Sequence, residues 1–271
     1  MFYRKRPVVD VYKFTSAFWD ELARHGSHKV NHFLEALKAN EVLNFLSRIS
    51  FKNTHTLKTD LFSESINKNL EFYAQLQKGQ CVGIDISIEI ARMARANLSS
   101  SGYKINYVVA DVRNMPFKND SFDFILSDST LDHVPKSDFL IALFETKRIL
   151  CSHGKLALSL NNSSNIVCGL VRYLQNTLLQ HSYPSFSFNL SWTLTILRDM
   201  GFHILGEKYT LPVDMLTLIL VKPCDSSKTF LLCAQIWSRF LKKANKISLL
   251  NNLLSAQFII LCENIKTLPS V

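Results

Sequence analysis

Three short apolar segments, each running into a polar or acidic tip, constrain this chain more than any other feature. They are Gln80-Cys81-Val82-Gly83-Ile84-Asp85, Ile105-Asn106-Tyr107-Val108-Val109-Ala110-Asp111 and Phe122-Asp123-Phe124-Ile125-Leu126-Ser127-Asp128. Strand-to-tip units with helical or loop spacers between them suit a doubly wound parallel sheet, because parallel neighbours need a long crossover. In such a sheet the tips line one crevice, and ligands sit there at the carboxyl ends of the strands. A carboxylate at the second strand's end, Asp85, then offers acceptors to a ribose, although Asp or Ser at such a junction also serves to cap the helix that follows.

A chain of 271 residues with 47% hydrophobic residues buries one good-sized core and some appended structure. Its formal net charge of +9 has local concentrations at Arg4-Lys5-Arg6 and at Lys242-Lys243 with Lys246. Diffuse basic charge favours acidic partners without naming one. There is no zinc-finger spacing and no interleaving of basic and aromatic residues, so no nucleic-acid partner is expected. Six well-separated cysteines without a Cys-x-x-Cys pair read as reduced core residues. No apolar run reaches the roughly 18 residues that span a bilayer, which with the absence of a signal-peptide core predicts a cytoplasmic protein.

Apolar residues at helical spacing over residues 11–48 predict an N-terminal helical cap, residues 1–50. His25, His28 and His32 share a helical face there, but no carboxylate or cysteine joins them and no metal site is expected. A core over residues 51–209 follows. Its first strand is expected at Thr54 to Phe62, with helices at 63–76, Ile88 to Ser101, Lys136 to Leu150 and Ser191 to Met200. Ser152-His153-Gly154 reads as a turn before a strand at Lys155 to Leu160. A strand near Phe202 to Tyr209 precedes an apolar excursion, residues 210–255, read as a helical lid or as a surface for a lipid-like substrate or a membrane interface. Residues 256–271 hold the last strand, Gln257 to Glu263, and a tail.

Taken in order, Val82-Gly83-Ile84-Asp85-Ile86-Ser87, Ala110-Asp111-Val112 with Met115-Pro116-Phe117, Phe122 to Ser127, Thr130-Leu131-Asp132-His133-Val134 and Glu145 to Leu150 running into Gly154-Lys155-Leu156 resemble a class I S-adenosylmethionine-dependent methyltransferase of the ubiquinone-biosynthesis and small-molecule group. The resemblance covers residues 50 to 210. It implies a Rossmann-like sheet of seven strands, the last antiparallel, and S-adenosylmethionine as cofactor. By the same resemblance, Asp85 binds the ribose hydroxyls, Asp111 the adenine amino group, Ile86 and Val112 sandwich the adenine, and Ser127 lies beside the methionine portion. The family's first strand usually ends in an acidic residue and a Gly-x-Gly loop that lets the backbone approach the cofactor. Here the place reads Leu57-Lys58-Thr59-Asp60-Leu61-Phe62, without glycine. Asp60 is assigned to the methionine ammonium and Thr59 to its carboxylate.

Methyl transfer from a sulfonium is an in-line displacement in which alignment supplies much of the acceleration. For a hydroxyl acceptor of high pKa a base helps, and His133 with Asp132 follows the fourth strand where an acceptor arrives. The expected acceptor is a small or moderately apolar molecule, methylated at oxygen. A second reading keeps the fold and the binding but not the turnover, because the glycine loop is missing. A dehydrogenase would open on Gly-x-Gly-x-x-Gly, which the chain lacks.

Overall fold

The computed structural model describes residues 15–26, 32–50, 54–66, 79–100, 105–165, 185–210, 252–253 and 255–266. Seven strands form one sheet: β1 (His55–Lys58), β2 (Gln80–Asp85), β3 (Asn106–Val109), β4 (Phe122–Asp128), β5 (Leu150–Asn161), β6 (Phe202–Thr210) and β7 (Gln257–Asn264). Their order is β3-β2-β1-β4-β5-β7-β6. The pairings β3-β2, β2-β1, β1-β4 and β4-β5 are parallel, while β7 runs antiparallel to both β5 and β6. The helices are α1 (Ser16–Gly26), α2 (His32–Leu46), α3 (Phe62–Ile66), α4 (Ile88–Ser100), α5 (Phe139–Ile149) and α6 (Leu190–Asp199).

Side-chain alternation along the strands divides the core into two layers. Leu156, Leu158 and Leu160 of β5 and Phe258, Ile260 and Cys262 of β7 pack with Phe139, Leu143, Leu194 and Leu197 of α5 and α6. Ala157 and Ile259 face the opposite way and meet Val42, Leu43 and Leu46 of α2. A third cluster joins Ala23 of α1 to Leu61 and to Ile90, Ala91 and Ala94 of α4. Strands buried on both faces are what helices on both sides of a mostly parallel sheet produce.

Two expected elements need correction. The first strand does not run to Phe62; it stops at Lys58, because the Asp60 carboxylate turns back to accept the Phe62 amide at 2.9 Å and α3 starts there. The expected turn at Ser152-His153-Gly154 is a bulge inside β5 instead, with register shifting between Phe122 and Phe124 of β4 and His153 at φ 61°. Most of the predicted helix at 63–76 and most of the lid at 210–255 lie outside the described residues, as do His28 and the side chains of His25 and His32. Cys81, Cys151 and Cys262 are free thiols.

The close approach that matters most for the crevice is between Gly83 and Leu61. A Cβ added at Gly83 would stand 2.6 Å from Leu61 Cδ2, and Leu61 is fully buried. The glycine on β2 therefore makes the space into which Leu61 of the first loop packs. Leu61→Ala is expected to cost about 2–4 kcal/mol and Gly83→Ala about 1–3 kcal/mol. Because one side chain answers for both, the double variant should lose clearly less than the sum, as read from urea midpoints; strict additivity would contradict this packing.

Candidate functional site

The crevice is built from the carboxyl ends of β1, β2 and β4. At the end of β1, Lys58 is 3% exposed. Its Nζ donates to Glu64 Oε2 at 3.1 Å and to the Asp60 carbonyl at 2.6 Å, with the Asp60 carboxylate 3.9 Å away. Burial alone would strip the proton from Lys58, but Glu64, Asp60 and Asp128 outweigh it and hold the ammonium more firmly than in an ordinary lysine. Beside it the Thr59 hydroxyl lies 2.8 Å from that of Thr130, and the Thr59 amide donates to the Leu126 carbonyl, tying the first loop to the β4 tip. The loop is thus shaped by a buried ion pair instead of by glycines.

At the end of β2, Asp85 is buried and its two oxygens are held separately. Oδ1 accepts the Ser87 amide at 2.8 Å and Oδ2 the Leu61 amide at 3.1 Å. A carboxylate has about four acceptor positions, so each oxygen keeps one for a further donor, as a pair of vicinal hydroxyls requires. Burial first, and then the Asp60 charge, push the Asp85 carboxyl up to about 7. Ile86 is half-buried at the same edge. Ser87 caps α4 by accepting the Ile90 amide.

Helix α1 crosses this edge. The Asp20 carboxylate accepts the Ser87 hydroxyl at 2.5 Å and the Glu89 amide at 3.1 Å. One residue earlier Trp19 meets the His133 ring edge-on, centroids 5.3 Å apart. The same helix therefore touches the elements that follow both β2 and β4.

Asp111 lies beyond the end of β3 in a turn, where Arg113 forks onto it: Nε reaches both oxygens, at 2.9 and 3.0 Å, and Nη2 reaches Oδ2 at 2.5 Å. Arg113 Nη1 extends to Asp138 at 2.6 Å. The acceptors of Asp111 are therefore occupied, and an adenine amino group would have to displace part of the fork. Val112 is buried in the core. Ser127 is 1% exposed, and its hydroxyl has no hydrogen-bond partner among the described residues. Just past β4, Ser129 takes φ 54°, a left-handed conformation held by the Ser159 hydroxyl and by Gln257. Asp132 is fully buried and accepts from Asn161, whereas His133 is half-buried beside Trp19.

Thr59, Asp60, Asp85, Ser127, Asp132 and His133 thus stand around the tips of β1, β2 and β4. Asp111 and Val112 follow β3. Sequence reasoning missed Lys58, Glu64, Asp20, Trp19 and Arg113. Only Arg113, two residues from Asp111, carried a local signal for its pairing.

A seven-stranded sheet in the order β3-β2-β1-β4-β5-β7-β6, with β7 antiparallel, is the class I methyltransferase fold. Residues 66–158 match the family model described as a methyltransferase domain, and this stretch is a domain of the class I S-adenosylmethionine-dependent methyltransferase family. The match starts past β1 and the loop that carries Lys58 to Glu64. The chain is 37% identical over 76 residues to the demethylmenaquinone methyltransferase of Staphylococcus epidermidis, covering 27% of this chain and 29% of that protein. It is 28% identical over 96 residues to an uncharacterised protein of Methanocaldococcus jannaschii, covering 35% and 38%. The chain thus spans well under half the length of these curated relatives. Among solved structures, a Haloferax volcanii protein in complex with a methyltransferase activator superposes with TM-score 0.62 at 17% identity, covering 92% of this chain and 98% of that one. A methyltransferase of Methanosarcina mazei gives 0.55 at 17%, covering 80% and 94%. These two likenesses concern the fold. No helix among the described residues is long and apolar enough to cross a membrane.

The raised carboxyl of Asp85 sets a pH dependence. The folded protein keeps this proton up to about pH 7, whereas an unfolded aspartate releases it near 4. Between those values the folded state binds more protons, so this group makes stability fall as pH rises from about 4 to about 7, and contributes no slope outside that window. Asp60 and Glu64, also raised mainly by burial, act in the same direction. Urea midpoints measured across the window should decline less steeply in Asp85→Asn than in the parent; parallel curves would contradict the assignment.

Proposed function

We propose that this protein transfers the methyl group of S-adenosylmethionine to a small or moderately apolar acceptor, at oxygen. The observation that carries the reading is Asp85: a buried carboxylate at the β2 tip, oriented by the Leu61 and Ser87 amides, with one acceptor position left on each oxygen. When bound, the cofactor supplies an electrophilic methyl group on a sulfonium. The protein's own part is alignment and proton handling. Asp85 holds the ribose hydroxyls, with Ile86 and Val112 on the adenine side and Arg113 shifting to release an oxygen of Asp111. Thr59, Asp60 and Ser127 border the methionine portion.

His133 is assigned as the base that would take the proton from the acceptor hydroxyl as that oxygen becomes methylated. Trp19 stands edge-on to that ring and helps to set its orientation. Asp132, buried on Asn161, positions the short turn that presents His133. The local similarity to a demethylmenaquinone methyltransferase supports an apolar acceptor. So does the aromatic pair of Phe18 and Trp19 on α1, centroids 5.3 Å apart, beside the turn. The work is expected in the cytoplasm, with peripheral membrane contact where the acceptor is lipid-like.

A second reading, binding without turnover, draws on the first loop, where Leu61 and the Lys58–Glu64 pair occupy the place of a glycine loop. Calorimetric titration with S-adenosylmethionine, S-adenosylhomocysteine and NADH tests the cofactor. Saturable binding of the first two alone is expected, and Asp85→Ala should weaken it by about 1–3 kcal/mol, the cost of losing a buried polar partner. Unchanged affinity in that variant would remove Asp85 from the site; cofactor binding with no methyl transfer across an acceptor screen would favour the second reading.

A further inference from the structure

Among the described residues the crevice holds one lysine against several carboxylates, and this imbalance goes further than the family resemblance. Lys58 is matched by Glu64, each side chain about 4–5% exposed and 3.1 Å apart, so their charges largely cancel. What remains around the tips is Asp60 from the first loop, Asp85 from β2 and Asp128 from β4, with His133 nearby. Asp60 feels the charges of Lys58, His133 and Asp128, and Asp85 feels that of Asp60. Asp128 is bonded through Oδ1 to the Ser159 hydroxyl, and Asp60 through Oδ1 to the Phe62 amide. Neither of these contacts brings positive charge, and the one ammonium near Asp60, Lys58 Nζ at 3.9 Å, is shared with Glu64 at 3.1 Å, which leaves carboxylates in excess. An independent feature at the same junction points to a ligand. Ser127 follows Leu126, the partner of Lys58 across β1 and β4, and its buried hydroxyl has no partner among the described residues.

Building on the proposed function, we propose that Asp60 is a specificity-determining residue through which the crevice distinguishes S-adenosylmethionine from S-adenosylhomocysteine by charge. The cofactor carries a sulfonium and an ammonium against one carboxylate. The demethylated product has a neutral thioether in place of the sulfonium, and so one positive charge fewer. In a partly desolvated crevice with surplus carboxylates the extra charge strengthens binding, and its loss on transfer weakens it. The raised carboxyls of Asp60 and Asp85 agree with a site short of positive charge. Methyl transfer then lowers affinity for what remains, which favours product release. Asp60, in the place of the family's glycine-bearing loop, becomes a source of selectivity.

The test is the affinity, by calorimetry at one pH and salt concentration, of S-adenosylmethionine, S-adenosylhomocysteine and sinefungin, whose amine supplies a cation near the sulfonium position. The parent protein should bind both cationic ligands at least about tenfold more tightly than S-adenosylhomocysteine, a difference of about 1.4 kcal/mol. Asp60→Asn keeps an oxygen for the Phe62 amide and removes only the charge. It should bring the three affinities within about threefold of one another, chiefly by weakening the cationic pair. Asp128→Asn is the second variant and should narrow the ratio in the same direction, and circular dichroism checks that both variants are folded. A parent protein that binds S-adenosylhomocysteine as tightly as S-adenosylmethionine would overturn the proposal, as would a preference unchanged in both variants. Failure of all three ligands to bind the parent would overturn the cofactor reading on which it rests.

Discussion

Lys58 is buried at the end of a four-residue strand, and much of the crevice depends on how its charge is met. An unpaired ammonium in that position would cost several kcal/mol, so the chain must bring carboxylates to it. Glu64 does so from α3 and Asp60 from the intervening loop. Reaching Lys58 from both sides requires the strand to stop early and α3 to start at Phe62. That path carries Leu61 onto Gly83 and its amide onto Asp85. One ion pair thereby sets the end of β1, the packing against β2 and the orientation of the carboxylate that defines the site.

The second organising contact is made by α1. Asp20 adds its carboxylate to the start of α4, where exposed amides and the helix dipole favour an anion, and Trp19 rests against His133. Ala23, on the same helix, packs on the cluster that contains Leu61 and α4. The helix therefore does more than complete the core. It joins the first loop, the edge after β2 and the turn after β4 into one wall, so a change in α1 is felt at both the proposed ribose carboxylate and the proposed base.

How much of this was legible in the sequence follows from the range of each interaction. The parallel sheet and the Asp85 tip were readable because an apolar run ending in a carboxylate records its own burial, and the neighbouring segments repeat the pattern. That the last strand is antiparallel came only through family resemblance, and its place between β5 and β6 was not foreseen at all, since Gln257 to Asn264 looks like any buried strand. Lys58 was unreadable as a core residue: a lysine in a short strand suggests solvent, and its partner lies in a helix whose start depends on where the strand ends. Asp20 was unreadable for another reason, because its contact with Ser87 spans 67 residues and no local pattern announces it. The Arg113 fork on Asp111 was close in sequence yet overlooked, because the resemblance had already given Asp111 a ligand.

A glycine-free loop that closes on itself through Lys58 and Glu64, and still leaves acceptor positions free on Asp85 for the proposed ribose, is the feature that departs most from the pattern the chain resembles. Hydrogen–deuterium exchange with and without S-adenosylmethionine addresses it most directly. Bound cofactor should slow exchange in peptides covering residues 59–66 and 83–90 while leaving β6 and β7 unchanged. Saturating cofactor that leaves both of those peptides unaltered would contradict the account.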